Sequence, residues 1–141
     1  STEHHDRFDD DALDVFLRYG KDRPAPTIQQ SLLPWGGAVA SAPSGASPLA
    51  KRSARWVSHP LASWMDPADD EACIGWVRDY RRDMAPYVSG GTFLNFVGNE
   101  EEERVVSAFG ARNYARLREI KAAYDPENRL RINQNIKPAG V

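Results

Sequence analysis

Between residues 66 and 84 the chain carries an apolar stripe that only a helix can place on one side. Asp66 can accept from the free N–H groups of a first turn, Pro67 suits the first helical position, and Cys73, Trp76, Val77, Tyr80 and Met84 follow at steps of three and four. A helix so marked needs a partner surface, and the segments left to supply one are short. Residues 12–20, preceded by Asp9, Asp10 and Asp11 and stopped at Gly20, read as a second helix with Leu13, Phe16 and Leu17 on its buried face. Residues 27–33 suit a strand with Ile28, Gln30 and Leu32 on one side. Residues 54–64 suit another, with Trp56 and Trp64 on one face; Pro60 lacks a ladder donor, which predicts a sheet edge or a bulge. Residues 92–97 read as a third strand with Phe93, Asn95 and Val97 on one face.

Asn99 followed by four glutamates, Glu100 to Glu103, reads as a capped helix start whose acids complement the helix dipole, a simpler account than a metal site. Gly110 breaks that helix, and a further one follows with Tyr114, Leu117, Ile120 and Tyr124 on its apolar side until Pro126 stops it. Few, short strands among helices predict an α+β fold: an antiparallel sheet with helices packed on one face, as a single domain over residues 1–141. Residues 41–53, rich in Ser, Ala, Pro and Gly, predict a flexible loop. His4 and His5 read as disordered terminal residues.

With 18 basic against 20 acidic residues the chain has no positive surplus for a phosphate backbone, so no nucleic-acid partner is expected. No apolar run is long enough to span a bilayer, so no membrane partner is expected. Cys73 is the only cysteine; it cannot form an internal disulfide or a cysteine-based metal site and reads as a small core residue. A reducing cytoplasm is the expected compartment, and no metal is expected.

Three motifs stand in order along the chain: Leu33-Pro34-Trp35-Gly36-Gly37-Ala38, Gly90-Gly91-Thr92-Phe93-Leu94-Asn95-Phe96, and Tyr124-Asp125-Pro126-Glu127-Asn128 with Asn133-Gln134-Asn135-Ile136-Lys137-Pro138 behind it. Their order and spacing resemble the C-terminal, substrate-binding part of the berberine bridge enzyme-like family of FAD-linked oxidoreductases, from about Arg7 to Pro138. The resemblance implies FAD as cofactor, held by an N-terminal FAD-binding domain that these residues do not supply. It implies a small-molecule substrate whose alcohol, amine or similar carbon is oxidised by hydride transfer to the flavin. An FAD-binding domain or polypeptide is then an obligate partner, and the isolated chain is expected to be inactive.

In the family a Gly-Gly-x-Tyr-x-Asn strand places a tyrosine as base, and the matching residue here is Phe93, a ring with no proton to exchange. Other base candidates of the family lie on the strand after the flexible loop, where His59 titrates near neutrality. Asn95 is expected to meet the cofactor. Asn133 and Asn135 belong near the cofactor or the domain junction, or else satisfy backbone groups in an irregular segment. Trp35, Gly36 and Gly37 form either a plain turn or a close approach to substrate. Asp125, Pro126 and Asn128 read as a helix stop with an Asx turn. Where the family tends to show an aromatic and a His-Arg pair after the loop, this chain has Leu49 and Lys51-Arg52. The replacement of the tyrosine by Phe93 also admits a different class of function, a stand-alone binding or dimerisation module, possible as a homodimer, that keeps the fold without redox chemistry.

Overall fold

The computed structural model describes residues 2–43, 45–96, 102–132 and 134–140. The order of elements is β1 (Glu3–His5), α1 (Asp10–Lys21), β2 (Gln29–Pro34), α2 (Ala38–Ser41), β3 (Trp56–Leu61), α3 (Asp70–Met84) and α4 (Glu102–Tyr124). The three strands form one antiparallel sheet in the order β1-β3-β2, which is the α+β arrangement expected. No described helix is long and apolar enough to cross a membrane.

Helix α3 forms as its stripe predicts: Asp66 caps a 3-10 turn, Pro67–Asp69, by accepting from Ala68 N, and Cys73, Trp76, Tyr80 and Met84 are buried. Helix α1 is capped by Asp9, whose side chain accepts from Ala12 N. Its buried face differs from the expected one. Ala12 is fully buried, with Val15, Phe16 and Tyr19 packed on the core, whereas Leu13 and Leu17 are exposed. The cause is rotation: a stripe of Ala12, Val15, Phe16 and Tyr19 has helical spacing too, and it is the one that meets α3. Tyr19 contacts both Tyr80 and Trp76 edge to face.

The register divides the sheet into two faces. Gln30 pairs with Pro60, Leu32 with Ser58 and Glu3 with Ser58, so these side chains share one face; Leu33 and His4 pair with Val57 and Ser31 with His59, on the other. Helices α1 and α3 cover the first face. Pro60 therefore lies in the central strand, not at an edge or bulge as expected. β1 pairs with β3 only as far as Ser58, so Pro60 faces a strand on the β2 side alone among the described residues and its missing donor breaks no rung of β1.

Two further corrections concern the termini of the sheet. His4 and His5 are not disordered: they are 2% and 0% exposed within β1. The segment after α3 covers β1, with Ser89 N donating to His4 O at 2.8 Å and Phe93 N to Thr2 Oγ1 at 3.0 Å. The same contacts abolish the strand expected over 92–97, because Phe93 spends its N–H on a side chain and Leu94–Phe96 then turn into a 3-10 helix; Val97 lies outside the described residues, as does Asn99. Gly90 and Gly91 precede this turn at φ of 82° and 89°. A β-carbon on Gly91 would sit 3.0 Å from Lys51 Cβ, so only glycine allows that approach.

Helix α4 is broken where expected, at Gly110, whose φ of 72° and ψ of 153° belong to glycine alone. Its second half buries Tyr114, but Ile120 and Tyr124 are exposed rather than lining a core. Asp125 stops the helix by accepting from Arg129 N at 2.8 Å and Leu130 N at 2.9 Å. These donors and Lys121, the strongest of its partners, hold the Asp125 carboxyl at about 2.

The described residues between Ser41 and Trp56 form neither helix nor strand. Several bonds tie the loop down: Ala50 N donates to Ala108 O at 2.9 Å, and Lys51 Nζ to Ser89 O at 2.6 Å.

Candidate functional site

The sheet face turned away from α1 and α3 carries a continuous aromatic run. Trp35, just past β2, stands edge to face with Phe93 at 5.4 Å between ring centroids; Phe93 lies 5.4 Å from Phe96, and Phe96 lies tilted on His59 at 4.4 Å. His4 closes the other end, edge-on to Trp35 at 5.7 Å. Local sequence explains each placement. Trp35 is held by donating its backbone N–H to Arg55 O at 2.7 Å, and Gly37 at φ of 55° turns the chain into α2. His59 is fixed by β3, and Phe93 and Phe96 by the bracket between Thr2 and the 3-10 turn.

Three residues singled out from sequence, Trp35, His59 and Phe93, thus meet in one place. Gly36 and Gly37 sit exposed beside Trp35 with open space over their α-carbons. Asn95 does not share a face with Phe93 as expected; with the strand replaced by a 3-10 turn it projects elsewhere and is exposed. Asn135 is half-buried and its Oδ1 is sealed from solvent without a hydrogen bond. Asn133 lies outside the described residues. Sequence reasoning missed His4 and Phe96. No periodic signal marks a three-residue strand, and a strand pattern over 92–97 sends Phe96 to the wrong side. Cys73 is buried in the core, and burial pushes its thiol up. Among the described residues no group of three metal-ligating side chains converges.

The electrostatics favour neutral imidazoles. Burial holds His59 below its ordinary value, and among the described residues no hydrogen bond closes on its ring. Burial also lowers His4, with Lys51 acting in the same sense; the Gly91 backbone acts against them without closing a bond of normal geometry to Nδ1. On the opposite face His5 is fixed by two bonds. The Tyr87 carbonyl can only accept, so His5 Nδ1 donates to it at 2.9 Å and Nε2 accepts from Ser58 Oγ at 2.9 Å. Burial lowers His5 despite that carbonyl.

A stability effect follows from these three shifts. Each imidazole binds protons more readily unfolded, near 6.5, than folded. Their contribution is fully present above 6.5 and is lost as the pH falls through that value toward the lower folded ones. Denaturant midpoints measured from about pH 8 down to about pH 5 should therefore decline on the acid side. A midpoint that stays level across that interval would refute the burial of these rings.

Beside β1, Glu3 is 5% exposed and accepts from Arg81 Nε and Arg104 Nη1, each at 3.3 Å. This bridge joins β1 to α3 and α4.

Comparison with known proteins places this geometry in a family. Residues 92–137 match the family model described as berberine and berberine like. The chain is 31% identical over 135 residues to the uncharacterised FAD-linked oxidoreductase YvdP of Bacillus subtilis, covering 96% of this chain and 30% of that protein. It is 31% identical to the aclacinomycin-N/aclacinomycin-A oxidase of Streptomyces galilaeus, covering 78% of this chain and 23% of that one. Among solved structures, aclacinomycin oxidoreductase superposes with a TM-score of 0.82 at 23% identity, over 98% of this chain and 32% of that chain. A glycopeptide hexose oxidase complexed with teicoplanin gives 0.78 at 22% identity, over 98% and 32%. The chain thus spans about a third of the length of the relatives it matches most fully. By sequence and by fold, the chain belongs to the berberine bridge enzyme-like family of FAD-linked oxidoreductases, in the region that carries the berberine-like element.

Proposed function

We propose that this chain forms the substrate-facing surface of the redox pocket in a longer FAD-linked oxidoreductase that oxidises an alcohol, amine or similar carbon of a small molecule. The observation that carries the reading is the aromatic run from Trp35 through Phe93 and Phe96 to His59, on the sheet face that no described helix of the α1 and α3 layer covers. A row of rings with one imidazole suits a flat or alicyclic ligand held face-on beside a group that can take a proton. When bound, FAD supplies the acceptor for the hydride. His59, neutral by burial, takes the proton released from the substrate oxygen or nitrogen. Phe93 packs against substrate or ring and takes no proton, while Trp35, Gly36 and Gly37 shape the substrate side.

In this reading the aromatic faces of Trp35, Phe93 and Phe96 suit the ring portion of FAD, and its pyrophosphate falls to the FAD-binding region. Asn133 and Asn135 are assigned to the polar edge of the ring or to the junction with the FAD-binding region, and the exposed Asn95 to that junction. That region is the expected partner, and Tyr124, Leu130 and Ile132, which are 87%, 80% and 88% exposed, offer it an apolar seat.

Two preparations test the reading. The complete protein should keep its flavin through desalting and bleach without oxygen when given an active member of a panel of small-molecule alcohols, sugars and amines. The 141-residue chain alone should keep none, and a yellow chain would sink the proposal. The exposed apolar seat also favours a second reading, a homodimerising binding module. Light scattering on the chain at high concentration decides it, because a clean monomer rules it out.

A further inference from the structure

The geometry points to a second small-molecule site on this chain, for a ligand with an apolar body and a carboxylate, in a cavity of about 910 Å3 between the loop after α2 and the break in α4. The cleft is about half open to solvent, and its volume lies in the range of sites that hold small organic molecules. None of its lining residues belongs to the aromatic run. Its lining is mixed: small apolar side chains, Ala42, Ala50 and Ala111, with Leu49 and Phe109 as the larger ones, stand beside polar and charged groups. Gly110 makes the wall possible. A β-carbon there would stand 3.3 Å from Ala50 Cβ, and the φ of 72° strains any other residue.

Arg52, Arg112 and Arg116 line the same cavity, and among the described residues no carboxylate does. Arg52 is held in place by donating to Val39 O at 3.2 Å and Ser47 Oγ at 2.5 Å, neutral acceptors that leave its charge uncompensated. Arg116 is paired outward, with Glu119 at 2.8 Å. Arg112 forms no ion pair among the described residues. Like charges gathered round one cavity repel one another, and a carboxylate in a guanidinium fork relieves this with paired hydrogen bonds. Asn113 and Ser53 add polar atoms to the rim. An uncharged ring compound would gain the apolar wall alone, so charge is what the site selects.

Hydrogen–deuterium exchange on the complete protein tests this with two probes of one shape, 2-naphthoate and uncharged 2-naphthalenemethanol. Naphthoate should slow exchange in residues 45–53 and 109–116, with its midpoint at a concentration at least about tenfold lower than that of the alcohol, the usual scale for one charge-assisted pair. Arg112→Gln should remove that advantage and leave the alcohol's weak effect. Arg129→Gln, which alters a surface residue paired with Glu127 outside the cavity, should not. Equal midpoints for the two probes would overturn the site. So would segments already fully protected without ligand, which would mean the rest of the protein fills the cavity. If Arg112→Gln fails to fold, the two probes on the unaltered protein still decide.

Discussion

Flavin reduction in the complete protein is expected to slow by about a hundredfold to ten-thousandfold when His59 is replaced by Gln, the usual worth of a positioned general base. Gln is close in size and polar, so it can keep the packing on Phe96 while losing the capacity to take a proton. The central strand fixes the position of this side chain, and the tilted contact at 4.4 Å fixes its plane. Burial lowers the His59 pKa, so the imidazole is unprotonated at neutral pH and ready to accept. The rate should accordingly fall on the acid side, with its inflection below 6.5, and that limb should vanish in the variant. Rapid-mixing reduction under anaerobic conditions reads both quantities. A variant within about threefold of the parent, with the acid limb unchanged, would remove His59 from the chemistry. Phe93→Tyr is the informative companion: if it restores rate in the His59→Gln background, the position of Phe93 still faces the reacting carbon.

The largest loss of stability should come from Tyr80→Ala, at about 3–5 kcal/mol by analogy with other large aromatic truncations in cores. Tyr80 is fully buried, stacks on Trp76 at 6.2 Å and meets Tyr19 edge to face at 5.5 Å. It ties α3 to α1 and lies against the helix-side face of the sheet. Its hydroxyl neighbours Ser58 and Gln30 without closing a bond of normal geometry, and burial pushes its pKa up to about 12. Tyr80→Phe should therefore cost less than about 1 kcal/mol or even stabilise, since it removes a polar atom that earns little where it sits. Urea titrations of the two variants separate the ring from the hydroxyl. Equal losses for both would show that the hydroxyl bond, not the ring packing, holds the layers together.

How far the fold could be read from the sequence depended on the range of the forces acting. Helices α1 and α3 were legible because their caps and stripes are local: Asp9 and Asp66 accept from N–H groups within three residues. Which stripe of α1 turns inward was not, because Ala12 and Leu13 differ by one position and only α3 decides between them. β2 and β3 were found within a few residues of their ends. β1 escaped notice, since three residues carry no period and its burial is imposed by Ser89, Phe93 and Arg104 from far along the chain. The expected strand over 92–97 failed for the same reason, its first donor being claimed by Thr2. In the candidate site Trp35, Phe93 and His59 were visible through their motifs and side-chain chemistry. His4 and Phe96 joined them only through tertiary contacts.

The bridging of β1 has a consequence for synthesis on the ribosome. His5 finds its carbonyl partner 82 residues downstream and His4 finds Ser89 after 85. Until that later stretch has left the exit tunnel, two imidazoles and the Glu3 carboxylate remain hydrated, and the early α1 has no α3 to dock upon. Closure of so distant a contact is slow, so nascent chains of this region are expected to stay protease-sensitive after the whole sheet has emerged, until α3 and the stretch through Ser89 follow it.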